Sequence, residues 1–193
     1  MTNRDQSHRP TSHAEAAMDQ NEKTFRKAVQ LAESGALDQA LHHLARAAST
    51  EQIRNARAVC LMRSGSLPAA VETLRSVVLR SGTVQLRDDV PLIYQTNFCT
   101  ALLLSGRPGG CWDVLAEIRN QQHPSVIRLR TALKNWEKRL SILQRINWKL
   151  GIAPEVSVNI DFIPGEFLDP LSATPPRQNL NTDGDPKSPR NAA

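Results

Sequence analysis

One spaced pattern occurs three times in the first two-thirds of this chain, and it constrains the fold more than any other feature. The copies are Ala28, Leu31, Gly35, Leu37, Ala40, Leu44 and Ala47; Ala58, Leu61, Gly65, Leu67, Ala70, Leu74 and Val77; and Cys99, Leu102, Gly106, Pro108, Cys111, Leu115 and Ile118. Apolar positions that recur every three or four residues indicate helices. Repetition of the whole pattern predicts an all-α solenoid, a class that usually presents surfaces to partners.

Each copy joins two short helical runs through a glycine, namely Gly35, Gly65 or Gly106. Glycine suits this position because a helix commonly ends on a residue in the left-handed conformation. One small residue precedes each glycine and another follows it, one on each helix of the hairpin. We expect the two to lie where the helices cross, since only small side chains let the backbones approach closely. The pairs are Ala28 with Ala40, Ala58 with Ala70, and Cys99 with Cys111.

The prolines divide the chain in the same way. Pro68, Pro91, Pro108 and Pro124 each fall at a predicted first turn, where proline is tolerated because that amide has no partner within the helix. The first predicted helix ends at about 33. The six that follow cover about 36–48, 51–63, 67–80, 91–104, 108–122 and 124–150. Thr50 is the expected N-cap of the third helix.

The segments at the two ends of the chain differ from this periodic body. Residues 1–13 are polar and predicted to be disordered, repeats fill 14–122, and an amphipathic helix over 123–151 is expected to seal the last layer. That helix carries one apolar stripe, which consists of Leu129, Leu133, Trp136, Leu140, Leu143 and Leu150. The tail, 152–193, is acidic and rich in proline, and we expect disorder from about 172.

The run Gly-x-Leu-x-x-Ala-x-x-x-Leu-x-x-Ala, preceded by a small residue and a leucine, resembles the tetratricopeptide repeat over about 21–122. The resemblance implies a right-handed α-solenoid of three hairpins, at about 21–50, 51–82 and 90–122. The glycine-to-glycine intervals are 30 and 41 residues, against about 34 in that family, so an insert is expected at 82–89. In the third copy Pro108 replaces the turn leucine.

By the same resemblance, the first helix of each hairpin lines a concave groove. The implied groove residues are Phe25, Val29, Asn55, Val59, Met62, Thr96, Thr100 and Leu103. Because this lining is mostly apolar, it favours a protein or peptide partner with an apolar segment. The carboxylate clamp of chaperone-binding members is not matched, since Phe25 and Val29 stand where it would begin. A groove that is too shallow, or that is closed by the chain itself, is the alternative.

The tail contains apolar residues that are unusual for a free linker. Val156, Val158 and Ile160 alternate with polar residues, which predicts a short strand or extended segment, and Phe162, Ile163 and Phe167 follow. Such side chains need to be buried. Intramolecular docking of 156–167 on the body is the first expectation, and a partner or a second copy is the alternative.

Charge and composition limit the function classes. Residues 1–150 hold 21 basic and 13 acidic residues, whereas 151–193 hold three basic and six acidic ones, which favours an acidic partner or a tail folded onto the body. No stretch approaches the roughly 20 apolar residues of a membrane span. The polar N-terminus does not resemble a secretory signal. Cys60, Cys99 and Cys111 lie in apolar patterns, so we expect buried thiols and a cytoplasmic protein.

We therefore expect a non-catalytic adaptor or scaffold that binds proteins and needs no cofactor or metal. His42 and His43 are adjacent, so on a helix their rings diverge and do not form a metal site. One alternative is nucleic-acid binding through the basic helix 124–150; the other is a structural subunit of a homo-oligomer. The basic face consists of Arg128, Arg130, Lys134, Lys138, Arg139, Arg145 and Lys149.

Overall fold

The computed structural model describes residues 11–154 and 156–168. Within them the chain is all-α and helical-repeat-like, as predicted, and the only β pairing is one antiparallel bridge between Leu79 and Leu86. The helices are α1 (Thr11–Glu33), α2 (Leu37–Ala45), α3 (Glu51–Arg63), α4 (Leu67–Val78), α5 (Leu92–Leu104), α6 (Pro108–Glu117), α7 (Pro124–Arg139) and α8 (Ile142–Lys149).

The three repeat glycines end their helices in the same way. Gly35, Gly65 and Gly106 have φ of +83°, +82° and +71°, the left-handed region in which a Cβ is disfavoured. In each turn the residue after the glycine donates a hydrogen bond to the carbonyl of the repeat leucine, five residues before it. These bonds join Ala36 to Leu31 (2.8 Å), Ser66 to Leu61 (2.9 Å) and Arg107 to Leu102 (2.9 Å). They close the helix ends as Schellman motifs, so the spacing from leucine to glycine reflects the turn geometry.

The small residues of the pattern are the most deeply buried part of each helix pair. The two helices on either side of each glycine contact each other, and Cys99 Sγ lies 3.9 Å from the carbonyl oxygen of Cys111. The pairs Ala28 and Ala40, Ala58 and Ala70, and Cys99 and Cys111 all have 0% exposure. Complete burial of all six residues fits close packing of the two helices and leaves little space for larger side chains.

Each helix from α1 to α6 contacts the next one, and the odd-numbered helices also contact one another in succession, α1 with α3, α3 with α5, and α5 with α7. The surface shared by α3, α5 and α7 is therefore built from residues far apart in sequence. Thr50 accepts a hydrogen bond from the Ile53 amide, as expected of the α3 N-cap. The four prolines lie at helix starts: Pro91 is the N-cap of α5, and the others occupy the first turns of α4, α6 and α7.

α2 ends at Ala45, three residues earlier than predicted. Two more helices, α4 and α6, end early because the backbone becomes extended. Leu79, with ψ of 150°, pairs with Leu86 and begins the expected insert; Ile118, with ψ of 124°, ends α6. Arg87 fastens the insert to the body, since its guanidinium lies 2.6 Å from carboxylate oxygens of both Glu51 and Asp89.

The predicted single helix over 124–150 is wrong, because the structure divides it into α7 and α8. Leu140 is extended (ψ 143°), and Ser141 starts a new helix through a capping box with Gln144, in which each side chain bonds the other residue's amide. The reciprocal bonds satisfy amides that would otherwise lack partners. The stripe therefore stays buried only as far as Leu140, while Leu143 and Leu150 are exposed.

The predicted disordered start, 1–13, is wrong for its last three residues, because α1 begins at Thr11. Residues 1–10 lie outside the described part of the chain, as does the predicted disorder from about 172.

Candidate functional site

Residues 156–168, here called the strap, contact α3, α5 and α7 and form neither a helix nor a strand. The strap alternates as its sequence pattern predicts: Val156, Val158, Ile160 and Phe162 are buried or half-buried, whereas Ser157, Asn159, Asp161 and Ile163 are exposed. The indole nitrogen of Trp136, on α7, donates a hydrogen bond to the Val156 carbonyl (2.9 Å). The first part of the strap is therefore held against α7.

Asn97 on α5 forms hydrogen bonds with both backbone groups, the amide and the carbonyl, of one strap residue. The Glu166 amide donates to Asn97 Oδ1 (2.9 Å), and Asn97 Nδ2 donates to the Glu166 carbonyl (2.8 Å). Nδ2 also donates to Asn55 Oδ1 on α3 (2.9 Å), and both asparagines are 1% exposed. The side chain thus replaces the two backbone bonds that a neighbouring strand would supply.

Arg63, at the end of α3, holds the two residues before Glu166. Its Nε donates to the Pro164 carbonyl (3.0 Å) and its Nη2 to the Gly165 carbonyl (2.9 Å). Its guanidinium also lies 4.7 Å from the ring centroid of Phe167. Burial lowers the pKa of Arg63 below its ordinary value, but arginine stays charged at neutral pH. The positive charge therefore acts on backbone oxygens and on an aromatic face.

The Glu166 carboxylate is bound by two groups of α7. Ser125 Oγ donates to one carboxylate oxygen (2.7 Å) and Arg128 Nη2 to the other (2.6 Å). The Arg128 guanidinium also lies 4.4 Å from the Phe162 ring centroid. Because the Glu166 side chain is only 20% exposed, the ion pair is partly shielded from water and screened less than a surface pair.

Gly165 lies where the backbone conformation and two close neighbours disfavour a side chain. Its φ is +72°, and a Cβ added there would come within 2.7 Å of Met62 Cε and 3.0 Å of Val59 Cγ2. A side chain here would need a left-handed backbone, movement of the end of Met62 and a small shift at Val59. The backbone around Gly165 and Glu166 is therefore the most tightly fitted part of the strap.

The eight predicted groove residues do not line an open groove in this structure. Val29 is half-buried, and the other seven are buried. Val59 and Met62 contact Gly165, and Asn55 reaches the strap through Asn97. Thr96 and Thr100 donate their hydroxyl hydrogens to carbonyls of their own helix. Leu103 and Phe25 belong to the hydrophobic core.

Sequence reasoning missed several residues that hold the strap: Asn97, Arg63, Ser125 and Trp136. Asn97 carries the one usable signal, because an asparagine within the apolar helix Leu92–Leu104 needs a buried partner. Asn55 Nδ2, also buried, has no hydrogen-bond acceptor among the described residues, so the site retains an unused donor.

The predicted basic face is only partly solvent-exposed. Arg128 is engaged by Glu166, and Arg145 donates to the Glu137 and Lys138 carbonyls at the end of α7. Exposed cations are Arg130, Lys134, Lys138, Arg139, Arg145 and Lys149. One member of the face is therefore part of the strap site.

The described residues contain no group of three or more histidine, cysteine or acidic side chains that could hold a metal ion. His42 and His43 are exposed on α2, and the three cysteines are buried thiols. Burial raises the pKa of Cys60 to about 11. In the same part of the chain, every helix is too short or too polar to cross a bilayer.

No protein-family model matches this chain, and neither a curated protein nor a solved structure matches it.

Proposed function

We propose that this protein is a non-catalytic adaptor with tetratricopeptide-like hairpins that binds an extended segment of a partner protein on the face formed by α3, α5 and α7. The observation that carries the proposal is the pairing of Asn97 with both backbone groups of Glu166. These bonds depend on backbone conformation and not on the identity of the bound side chain. Another extended peptide can therefore make them, as in other modes of peptide recognition that rely on main-chain hydrogen bonds.

The contacts of the strap suggest which chemistry the proposed partner should have. A glycine is favoured over Val59 and Met62, because this position has φ of +72° and a Cβ there would lie 2.7 Å from Met62 Cε and 3.0 Å from Val59 Cγ2. An acidic residue follows, bound by Ser125 and Arg128, and an aromatic residue after it meets the cation of Arg63. The expected partner is thus a protein segment with an apolar stretch that ends in glycine, an acidic residue and an aromatic residue. The buried thiols favour a reducing compartment, and we propose the cytoplasm.

In this proposal the strap is an intramolecular ligand that competes with the partner. Because strap and site belong to one chain, the effective concentration of the strap is high, in the millimolar range for short linkers. A partner binds only those molecules whose strap is released. Its apparent affinity is therefore the intrinsic affinity multiplied by the released fraction. Weakening of the strap should therefore strengthen binding in trans.

The test uses the full-length chain carrying Gly165→Ala, in which we expect backbone strain and the close contacts with Met62 and Val59 to weaken docking of the strap. Gly82→Ala is the matched control, because Gly82 has the same φ of +72° but no atom within 4 Å of the added Cβ. The probe is a fluorescein-labelled peptide with the sequence of residues 156–168, followed by fluorescence anisotropy. We expect tighter peptide binding by Gly165→Ala than by wild type or Gly82→Ala, and loss of that gain when Asn97→Ala is added.

Affinity capture from host lysate then tests the adaptor function. Proteins captured by the Gly165→Ala chain, displaced by the unlabelled peptide and lost with Asn97→Ala would support it. Equal peptide binding by all variants would contradict the site itself. Exchange of straps between two copies, seen as a dimer by light scattering, would replace the adaptor with a homo-oligomer.

A further inference from the structure

The outward side of α8 is an aliphatic surface that the rest of the described chain leaves uncovered. Ile142, Ile146 and Leu150 follow one another at intervals of four, and Leu143 lies beside them, so all four project from one side of the helix. They are 79%, 50%, 72% and 68% exposed, respectively, and Ile152 beyond the helix is 60% exposed. No residue of α8 is buried. A contiguous apolar surface of this kind marks an interaction site.

The opposite side of the helix contacts the body of the protein. On its other side the Trp148 ring meets Trp136 edge to face, with centroids 5.1 Å apart. The start of α8 is closed by the Ser141 capping box, and its end is closed by the Ile152 amide, which donates to the Asn147 carbonyl (2.9 Å). The apolar side chains are therefore displayed by an anchored helix and not by a loose end.

The sequence around this surface is predominantly basic, with Glu137 and Glu155 on either side of it. Residues 138–154 contain four basic residues, Lys138, Arg139, Arg145 and Lys149, and no acidic residue. All four are exposed. In a symmetric pair of α8 helices these cations would face their own copies, which disfavours a second copy as the occupant. An anionic occupant with an apolar interior satisfies both features.

The small size of the aliphatic surface favours a lipid over a protein as its occupant. Five aliphatic side chains on and beside one short helix are far fewer than the roughly 20 residues that each side contributes to a stable protein interface. A bilayer surface needs no complementary groove, and it accepts aliphatic side chains at the acyl boundary while cations lie among the headgroup phosphates. We propose that α8 docks this protein on an anionic lipid surface, with Ile142, Ile146 and Leu150 inserted.

The test is co-sedimentation of the full-length chain with vesicles of phosphatidylcholine containing about 30 mol% phosphatidylglycerol, compared with phosphatidylcholine alone. Ile146→Glu places an acid in the centre of the surface. Val84→Glu is the matched control, because Val84 is an exposed aliphatic residue (80%) in the loop between α4 and α5. We expect binding to anionic vesicles to fall about tenfold in Ile146→Glu and to be unchanged in Val84→Glu.

Circular dichroism of both variants checks that the fold is intact. Failure of the wild-type chain to bind anionic vesicles, or an equal loss in Val84→Glu, would overturn the proposal. A wild-type dimer in sedimentation equilibrium that Ile146→Glu dissociates would make a second copy the occupant. Binding to RNA that outcompetes vesicles and ignores Ile146→Glu would assign the cations to nucleic acid. Peptide binding by the Gly165→Ala chain should be unaffected by Ile146→Glu, so this proposal and the adaptor site are tested separately.

Discussion

The close fit of Gly165 against α3 leads to a quantitative prediction about strap docking. Gly165 and Gly82 both have φ of +72°, so alanine at either position has to adopt a left-handed backbone, at a cost of about 1–2 kcal/mol. Only at Gly165 does the new Cβ also meet neighbours, Met62 Cε at 2.7 Å and Val59 Cγ2 at 3.0 Å. Gly82→Ala therefore controls for a left-handed alanine away from the strap, and Gly165→Ala reports backbone strain and close contacts together.

The collision has an expected magnitude. Insertion of one methyl group into a closely packed site costs about 1–3 kcal/mol. A change of that size shifts an equilibrium by about 5- to 150-fold. Gly165→Ala should move the balance between docked and released strap by that factor beyond the effect of the backbone strain. In Gly82→Ala the strain is confined to the loop between α4 and α5.

Hydrogen exchange of the Glu166 amide measures this equilibrium directly. In the docked strap that amide donates to Asn97 Oδ1 (2.9 Å), so it exchanges only when the strap opens. We expect faster exchange, by at least about fivefold, in the peptide covering 156–168 of Gly165→Ala and wild-type exchange in Gly82→Ala. Equal protection of Glu166 in Gly165→Ala and wild type would refute the argument that the contact with Met62 and Val59 fixes the strap.

Three further predictions concern the body of the protein. Ala70→Leu should lower the free energy of urea unfolding by about 1–3 kcal/mol, because Ala70 has 0% exposure and lies on α4, which packs on α3. The control is Ala69→Leu at an exposed position of the same helix. If Ala70→Leu lost less unfolding free energy than Ala69→Leu, the close approach of the two helices would be contradicted. Ser141→Ala should remove the capping box, destabilise α8 by about 1 kcal/mol and speed amide exchange over 142–149 only; an unchanged rate there would mean that the cap is dispensable. Burial raises the pKa of Cys60 from 9.0 to about 11, so with rising pH the thiolate forms first in the unfolded chain. The protonated thiol therefore stabilises the fold fully below pH 9, and this stabilisation is lost as the pH rises towards about 11. The same loss should be absent when the free energy of unfolding of Cys60→Ala is measured against pH.

Local signals in the sequence predicted most of the helices. The Schellman turns at Gly35, Gly65 and Gly106, the Thr50 cap and the helix-starting prolines each depend on residues a few positions apart, and the structure has them where the pattern indicates. The break after Leu140 also has a local signal, the Ser141 and Gln144 capping box. The regular spacing of the apolar stripe does not show this break, because Leu140 and Leu143 continue the same interval across two separate helices.

The candidate site was predictable only in part. The alternating burial of 156–162 follows from its apolar period, and Val59 and Met62, which the resemblance assigned to a groove, contact Gly165 of the strap. The resemblance to a tetratricopeptide groove did not indicate Asn97 or Arg63, because their partners are backbone groups about 69 and 101 residues away. No local pattern encodes which carbonyl a distant side chain binds.

The sequence by itself determined the helices, the glycine turns and the small residues at the helix crossings, because each depends on backbone preferences and side-chain volumes within one repeat. Only the tertiary structure decided that the strap lies on α3, α5 and α7 and that α8 turns its aliphatic side outward. Both outcomes depend on which surfaces remain uncovered once the helices have packed. Burial of the strap also requires that Asn97, Arg63 and Arg128 converge from three helices, and that convergence exists only in the folded chain.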